Sequence, residues 1–197
     1  GGGTAAGRGA AKRAGSGGKK TPPTSRASAS PAALAFVPSG EVTNQIEAAL
    51  APRLDEMVSL RFTMDDPSAL IRSAATRSIY RRELGARNLP EDSLTGATAL
   101  FLAVGWELAN GRKLSPAQNA AIYRQTGAAL RSTPLARKTD ADRQQESEMR
   151  LIVSALWLQE ARARASSSGL TREMSDSVWE DVRTITGNDM RAYTVTA

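Results

Sequence analysis

From Thr43 onward the large apolar residues recur every three or four positions and almost nowhere at alternate positions. That period places them on one stripe of a helix and leaves no strand with a buried face. Ile46, Leu50, Leu54 and Met57 or Val58 form the first stripe, which Pro52 splits or kinks. Asp66-Pro67 joins a good N-cap to the residue best suited to a first helical turn. Leu70, Ile71, Ala74, Ala75 and Ile79 follow on one face, ending near Gly85. The stretch from Asp92 or Ser93 to Asn110 is the most apolar, with Leu94, Ala97, Leu100, Phe101, Val104 and Leu108, and belongs at the centre. Ser115-Pro116-Ala117-Gln118 combines a capping box with a first-turn proline. Its helix carries Ala120, Tyr123, Gly127 and Leu130 and stops before Pro134. A long helix runs from Thr139 or Asp140 to Ala165, burying Met149, Ile152, Val153, Leu156 and Trp157. Ser166 to Gly169 reads as a loop. Thr171 or Ser175 opens a last helix with Met174, Val178, Val182 and Ile185, closed by Gly187-Asn188. Met190 to Ala197 lies extended along the rest. The fold class is therefore all-α, an irregular bundle of five to six helices.

The first thirty-odd residues differ in kind. Gly, Ala, Ser, Thr, Pro, Lys and Arg fill them, with no large apolar side chain. Such a segment cannot bury enough surface to offset its ordering entropy, so it reads as disordered unless a partner orders it. The chain divides into a basic tail (1–31), a transition segment (32–42) and a helical domain (43–197). Phe36 and Val37 in the transition are candidate anchors onto the domain. The net charge of +6 belongs to the tail. Arg8, Lys12, Arg13, Lys19, Lys20 and Arg26 precede Glu41, the first acid, and the remaining 20 Lys and Arg balance 20 Asp and Glu. On this count the domain is neutral and shows no evident basic patch.

Cys and His are both absent, which excludes disulfides, zinc–thiolate sites and Cys- or His-based catalysis. No cofactor or metal site is expected. No apolar run reaches the ~18–20 residues of a membrane span. The chain starts at Gly1 rather than Met, as a processed chain would, and the sequence leaves open whether a signal peptide was removed. Gly15-Ser16-Gly17-Gly18-Lys19-Lys20-Thr21 imitates a phosphate loop but fails, because Arg13 stands where its first Gly belongs and Lys20 where its Ser or Thr belongs. The tail's six cations are candidate contacts to a partner or to phosphates, although no aromatic residue is there to stack bases. The acidic pairs Asp65-Asp66, Glu91-Asp92, Asp140/Asp142 and Glu146/Glu148 lie at or near helix starts, where carboxylates cap and meet the helix dipole. Glu107 follows Trp106 on the most apolar helix. A solvated edge is the expectation there, with a buried carboxylate of raised pKa as the alternative. Trp106, Trp157 and Trp179 lie on three helices and are expected in the core or its rim, or around a pocket. Arg77, Arg81 and Arg82 form a solvated face with local ion pairs.

Three pieces carry a resemblance to a family. Leu94 to Glu107 (LTGATALFLAVGWE), ending Leu108-Ala109-Asn110-Gly111, is the first. Arg143-Gln144 with Glu148, before the Leu-, Ile- and Trp-rich stretch to Leu158, is the second. Gly187-Asn188-Asp189-Met190 is the third. Together they resemble an uncharacterised helical domain of exported proteobacterial proteins over about residues 89–197. The resemblance implies a helical fold and an exported location, secreted, extracellular or periplasmic, and carries no catalytic residue. The expected function is a non-enzymatic structural subunit or interaction module. Its partner would be a protein, with the tail as a tether or as an arm for self-association. The alternatives are a nucleic-acid-associated or virion-type protein using the basic arm on phosphates, and a carboxylate-dependent hydrolase.

Overall fold

The computed structural model describes residues 31–165 and 171–197. The tail and its six cations, like the expected loop at 166–169, lie outside the described residues. Eight α-helices follow in order: α1 (Gly40–Leu50), α2 (Leu54–Met57), α3 (Pro67–Leu70), α4 (Ala74–Ala86), α5 (Leu94–Asn110), α6 (Pro116–Arg131), α7 (Asp140–Ala165) and α8 (Arg172–Thr186). Among the described residues there is no strand, only an isolated antiparallel bridge between Ala35 and Ser93. The all-α bundle is thus the fold.

α5 is the central element, packed on α6, α7 and α8, while α7 also packs on α1 and α4. Every α5 residue except Leu102 and Asn110 is buried. The Ser93 hydroxyl accepts the Gly96 N–H to start it, and Gly111, in the left-handed region at φ 66°, closes it. Small residues let its neighbours come close. A Cβ at Gly96 would overlap the Pro90 carbonyl oxygen, and one at Gly105 would lie 2.7 Å from Val182 Cγ2 on α8. Leu100, Phe101, Val104, Ile152, Leu156 and Trp157 fill the interface between α5 and α7.

Elsewhere the helices depart from the pattern in the sequence. α1 starts at Gly40, earlier than Thr43, because Ser39 caps it. The helix expected from Pro67 to Gly85 is broken. α3 is a single turn capped by Asp66, and Ser73 caps a fresh start at α4 by accepting from Ala75 N–H. The break rotates the chain, so Ala74 and Ala75 are exposed while Thr76, Tyr80 and Leu84 face inward. On α6 the inward face is Asn119, Ile122, Thr126 and Leu130, and Ala120 points out.

α6 does carry the full capping box, with Ser115 Oγ accepting from Gln118 N–H at 3.1 Å and Gln118 Oε1 accepting from Ser115 N–H at 2.9 Å. Ser115→Ala should cost about 0.5–2 kcal/mol in urea unfolding. An unchanged midpoint would show that this cap contributes nothing.

The non-helical segments are held by side chains about a hundred residues away. Gln144 on α7 accepts from Ser39 N–H (2.9 Å) and donates to Ser39 O (2.9 Å). Glu160 accepts from Thr63 N–H (2.7 Å) and the Thr63 hydroxyl (2.6 Å). Asp181 on α8 accepts from Ser59 N–H (2.8 Å) and its hydroxyl (2.7 Å). The three clamping side chains are buried, and each binds the backbone of an irregular segment that has no helical partner of its own. In the transition segment Phe36 is buried, but the Val37 side chain is 75% exposed and only its N–H is held, donating to Asp140 Oδ2 at 3.1 Å. The C-terminal segment lies along the bundle, its Met190, Tyr193 and Val195 carbonyls accepting from Asn110, Trp106 and Gln118.

Candidate functional site

Between Leu108 and Thr139 the chain carries Arg112, Lys113, Arg124, Arg131, Arg137 and Lys138 and not one acid. All six are exposed. Lys113 lies 3.6 Å from Glu107, and Arg112 covers the Trp106 ring at 5.1 Å. Among the described residues no carboxylate lies within ion-pair distance of the other five. α6 organises them. Arg124 and Arg131 stand two turns apart on its outer face, Arg112 and Lys113 precede its N-terminus, and Arg137 and Lys138 follow its C-terminus. Two of the six thus lie on the helix, itself about 24 Å long, and four lie in the segments that flank its ends. The neutral sum over the domain thus conceals a basic face.

The first described residues pack close to this helix. The Ala32 carbonyl accepts from the Thr95 hydroxyl at 2.5 Å and lies 3.2 Å from where a Cβ of Gly127 would stand. Gly127 is in the C-terminal half of α6, between Arg124 and Arg131 in sequence. The Ala33 carbonyl accepts from Ser93 Oγ at 2.5 Å, and Leu34 O accepts from Leu94 N–H at 3.1 Å. Residues 32–34 are therefore fixed to α5 and beside α6.

A cleft of about 620 Å³ opens between the end of α4 and α6. Its floor is an ion pair. Arg87, just past α4, forks onto Glu107 of α5 with Nη1–Oε2 at 3.0 Å and Nη2–Oε1 at 2.9 Å. Leu114 N–H donates to Glu107 Oε2 (2.9 Å), and Arg87 also donates to Asn119 Oδ1 (3.1 Å) and Glu83 Oε1 (3.2 Å). The expectation of a solvated Glu107 is wrong, since the residue is 6% exposed. Burial pushes its carboxyl up, but the hydrogen bonds from Arg87 and Leu114 outweigh that and hold it below the usual glutamate range. The cleft's walls are Leu89, Pro116, Ala120 and Tyr123, with Asn88 and Arg124 at its edge.

The chain matches no family model, no curated protein and no solved structure.

The other residues singled out from sequence do not converge on one place. Trp157 is wholly buried core. Trp106 donates to Tyr193 O (3.0 Å) and lines a separate apolar pocket of about 250 Å³ with Leu102, Ile122 and Met190. Trp179 is half-buried, its N–H on Asp189 (2.7 Å) and its ring in contact with the guanidinium groups of Arg183 (4.8 Å) and Arg191 (4.6 Å). The acidic pairs divide. Asp66 caps α3, whereas Glu148 is buried against Thr43 and Gln144, with burial raising its carboxyl. Of the arginine cluster, Arg77 turns inward to Glu47, and Arg81 meets Glu91 only at an exposed 3.9 Å. Among the described residues no group of three or more acids is placed to hold a metal, and no helix is long and apolar enough to cross a membrane.

Proposed function

We propose that this chain is a non-enzymatic binding module that holds an anionic polymer against the outer face of α6 and the basic tail, acting outside the cytoplasm. One observation carries the reading. Six exposed cations with no acid among them in sequence lie on one helix or flank its ends, and Ala32, close to the first described residue after the basic tail, packs against Gly127 of that helix. Four of the six on the domain are arginines, whose planar forks suit phosphate or carboxylate oxygens. Binding of this kind releases counterions and weakens steeply with salt. The exported location rests on the family resemblance alone. The clamping roles of Glu160, Asp181 and Glu107 also support a binding module, because each of these buried carboxylates already holds backbone N–H groups.

The test is titration of labelled inorganic polyphosphate against the full chain. Affinity should fall by about 10³-fold or more between low and ~0.2 M salt. Arg124→Glu with Arg131→Glu should reduce both the affinity and the salt slope, by about 2 for the two charges. Binding that ignores salt and the double reversal would remove the basic face from the proposal.

A second reading has its own support. Around α1 to α3 the exposed acids Glu41, Asp55, Glu56, Asp65 and Asp66 outnumber the exposed Arg53, Arg61 and Arg72. An acidic end and a basic helix on one molecule favour head-to-tail self-association. Light scattering at low and high salt separates the readings, since only self-association makes particle size depend on salt without added polymer.

A further inference from the structure

We propose that the cleft between α4 and α6 receives the base of a nucleotide unit whose phosphate lies against Arg124, so that the polymer held by the basic face is a single-stranded nucleic acid. This rests on the reading of that face as a polyanion site.

The argument starts from what the cleft adds to the charge. Polyphosphate and a duplex backbone need only cations. The cleft offers something else directly beside Arg124. At about 620 Å³ it falls in the size range of small-molecule sites. Tyr123 is the aromatic residue of α6 and lines it half-buried, one residue from Arg124. Leu89 and Pro116 supply apolar wall. Asn88 is exposed in the left-handed region at φ 56°, and its side-chain amide meets no hydrogen-bond partner among the described residues. That amide offers a donor and an acceptor together, the combination a base edge requires. The floor demands no charge of its own, because Arg87 and Glu107 satisfy each other. A ring to stack on, a free amide for the edge and an unpaired guanidinium for the phosphate are the parts of a single-strand site. A duplex shows base edges in its grooves but keeps its bases stacked, so it offers no free base face to the Tyr123 ring or to the cleft. The tail lacks aromatic residues and would contribute charge alone.

The experiment compares four ligands on the full chain at one low salt concentration: labelled oligothymidylate, a duplex of equal length, inorganic polyphosphate, and thymidine monophosphate as competitor. The oligothymidylate should bind about tenfold or more tighter than the duplex or polyphosphate. Tyr123→Ala should weaken oligothymidylate by about 5- to 150-fold, the usual loss for one stacking platform, and leave polyphosphate unchanged. Tyr123→Phe keeps the ring and should keep the affinity, which controls for folding. Asn88→Gly preserves the positive φ, removes the amide and should weaken the strand alone. Equal affinities for strand, duplex and polyphosphate, or equal losses for strand and polyphosphate in Tyr123→Ala, would overturn the cleft assignment and leave the polyanion reading standing. Failure of all three polymers to bind would overturn both. Competition by the mononucleotide at concentrations like those of the strand would make free nucleotide the ligand and overturn the strand assignment.

Discussion

Glu107→Ala is expected to cost about 3–5 kcal/mol of folding stability, because it leaves the Arg87 guanidinium buried without its counter-charge. The two side chains are 8% and 6% exposed and joined by two hydrogen bonds. Glu83 remains 3.2 Å from Arg87 on the more open side, which holds the loss toward the lower end of that range. Leu114 N–H loses its acceptor as well. Glu107→Gln retains the shape and an acceptor and should cost less, about 1–3 kcal/mol. Urea unfolding should order the three chains intact, Gln, Ala. Removing both charges together, as Glu107→Leu with Arg87→Met, should recover much of the loss, since a buried pair is often replaceable by apolar side chains of similar volume. An Ala variant within about 0.5 kcal/mol of the intact chain would show that the pair is not sequestered from water.

The same pair sets a pH dependence. Glu107 has a carboxyl held below the usual value of 4.5, so the folded chain binds fewer protons there than the unfolded chain. Its contribution is complete above the ordinary glutamate range and disappears as pH falls through the lowered folded value. Glu148, raised by burial, acts in the opposite sense and favours the folded state as pH falls. Glu107→Gln should therefore lose part of the intact chain's acid destabilisation, visible as a shallower fall of the urea midpoint below pH 5.

How far the fold was legible depended on whether the signal was local. Ser93, Ser115, Thr171, Gly111 and Gly187 all mark helix ends that the sequence announces, because caps act within four residues. The break at Ile71–Ser73 was not legible. The apolar spacing runs straight through it, and Ser73 reads equally well as an ordinary helical residue until its hydroxyl is seen on Ala75 N–H. The clamps of Gln144, Glu160 and Asp181 were illegible for another reason. Their partners are about a hundred residues distant, and no local pattern distinguishes a polar residue that clamps a distant backbone from one that faces water. Arg87 escaped notice likewise, lying 20 residues from the glutamate it pairs with. The basic face is different. Its acid-free run from Leu108 to Thr139 is plain in the sequence. Summing charge over the whole domain cancelled it against acids elsewhere, and only the position of α6 beside the tail's point of departure brought it back into view.

Trp157→Ala should match the Glu107 variant in size, at about 3–5 kcal/mol, by a different mechanism. Trp157 is 0% exposed where α5, α7 and α8 meet. Its ring stacks on Phe101 with centroids 5.0 Å apart and planes at 26°, and it closes over Gly105, where a Cβ would lie 3.9 Å away. The indole N–H finds no hydrogen-bond partner among the described residues. Trp157 therefore contributes packing and carries the cost of an unsatisfied donor, about 1–3 kcal/mol. That division predicts an inequality between two substitutions. Alanine removes the whole ring and opens a cavity that the crossing of three helices cannot close. Phenylalanine removes part of the ring, which costs about 1 kcal/mol in cavity, and removes the orphan donor too. The two effects of phenylalanine oppose each other, so Trp157→Phe should unfold within about 1 kcal/mol of the intact chain while Trp157→Ala falls far below it. Chemical denaturation followed by far-ultraviolet circular dichroism measures both without relying on the tryptophan removed. If phenylalanine proves as damaging as alanine, the indole N–H has a partner and the packing account of this junction fails.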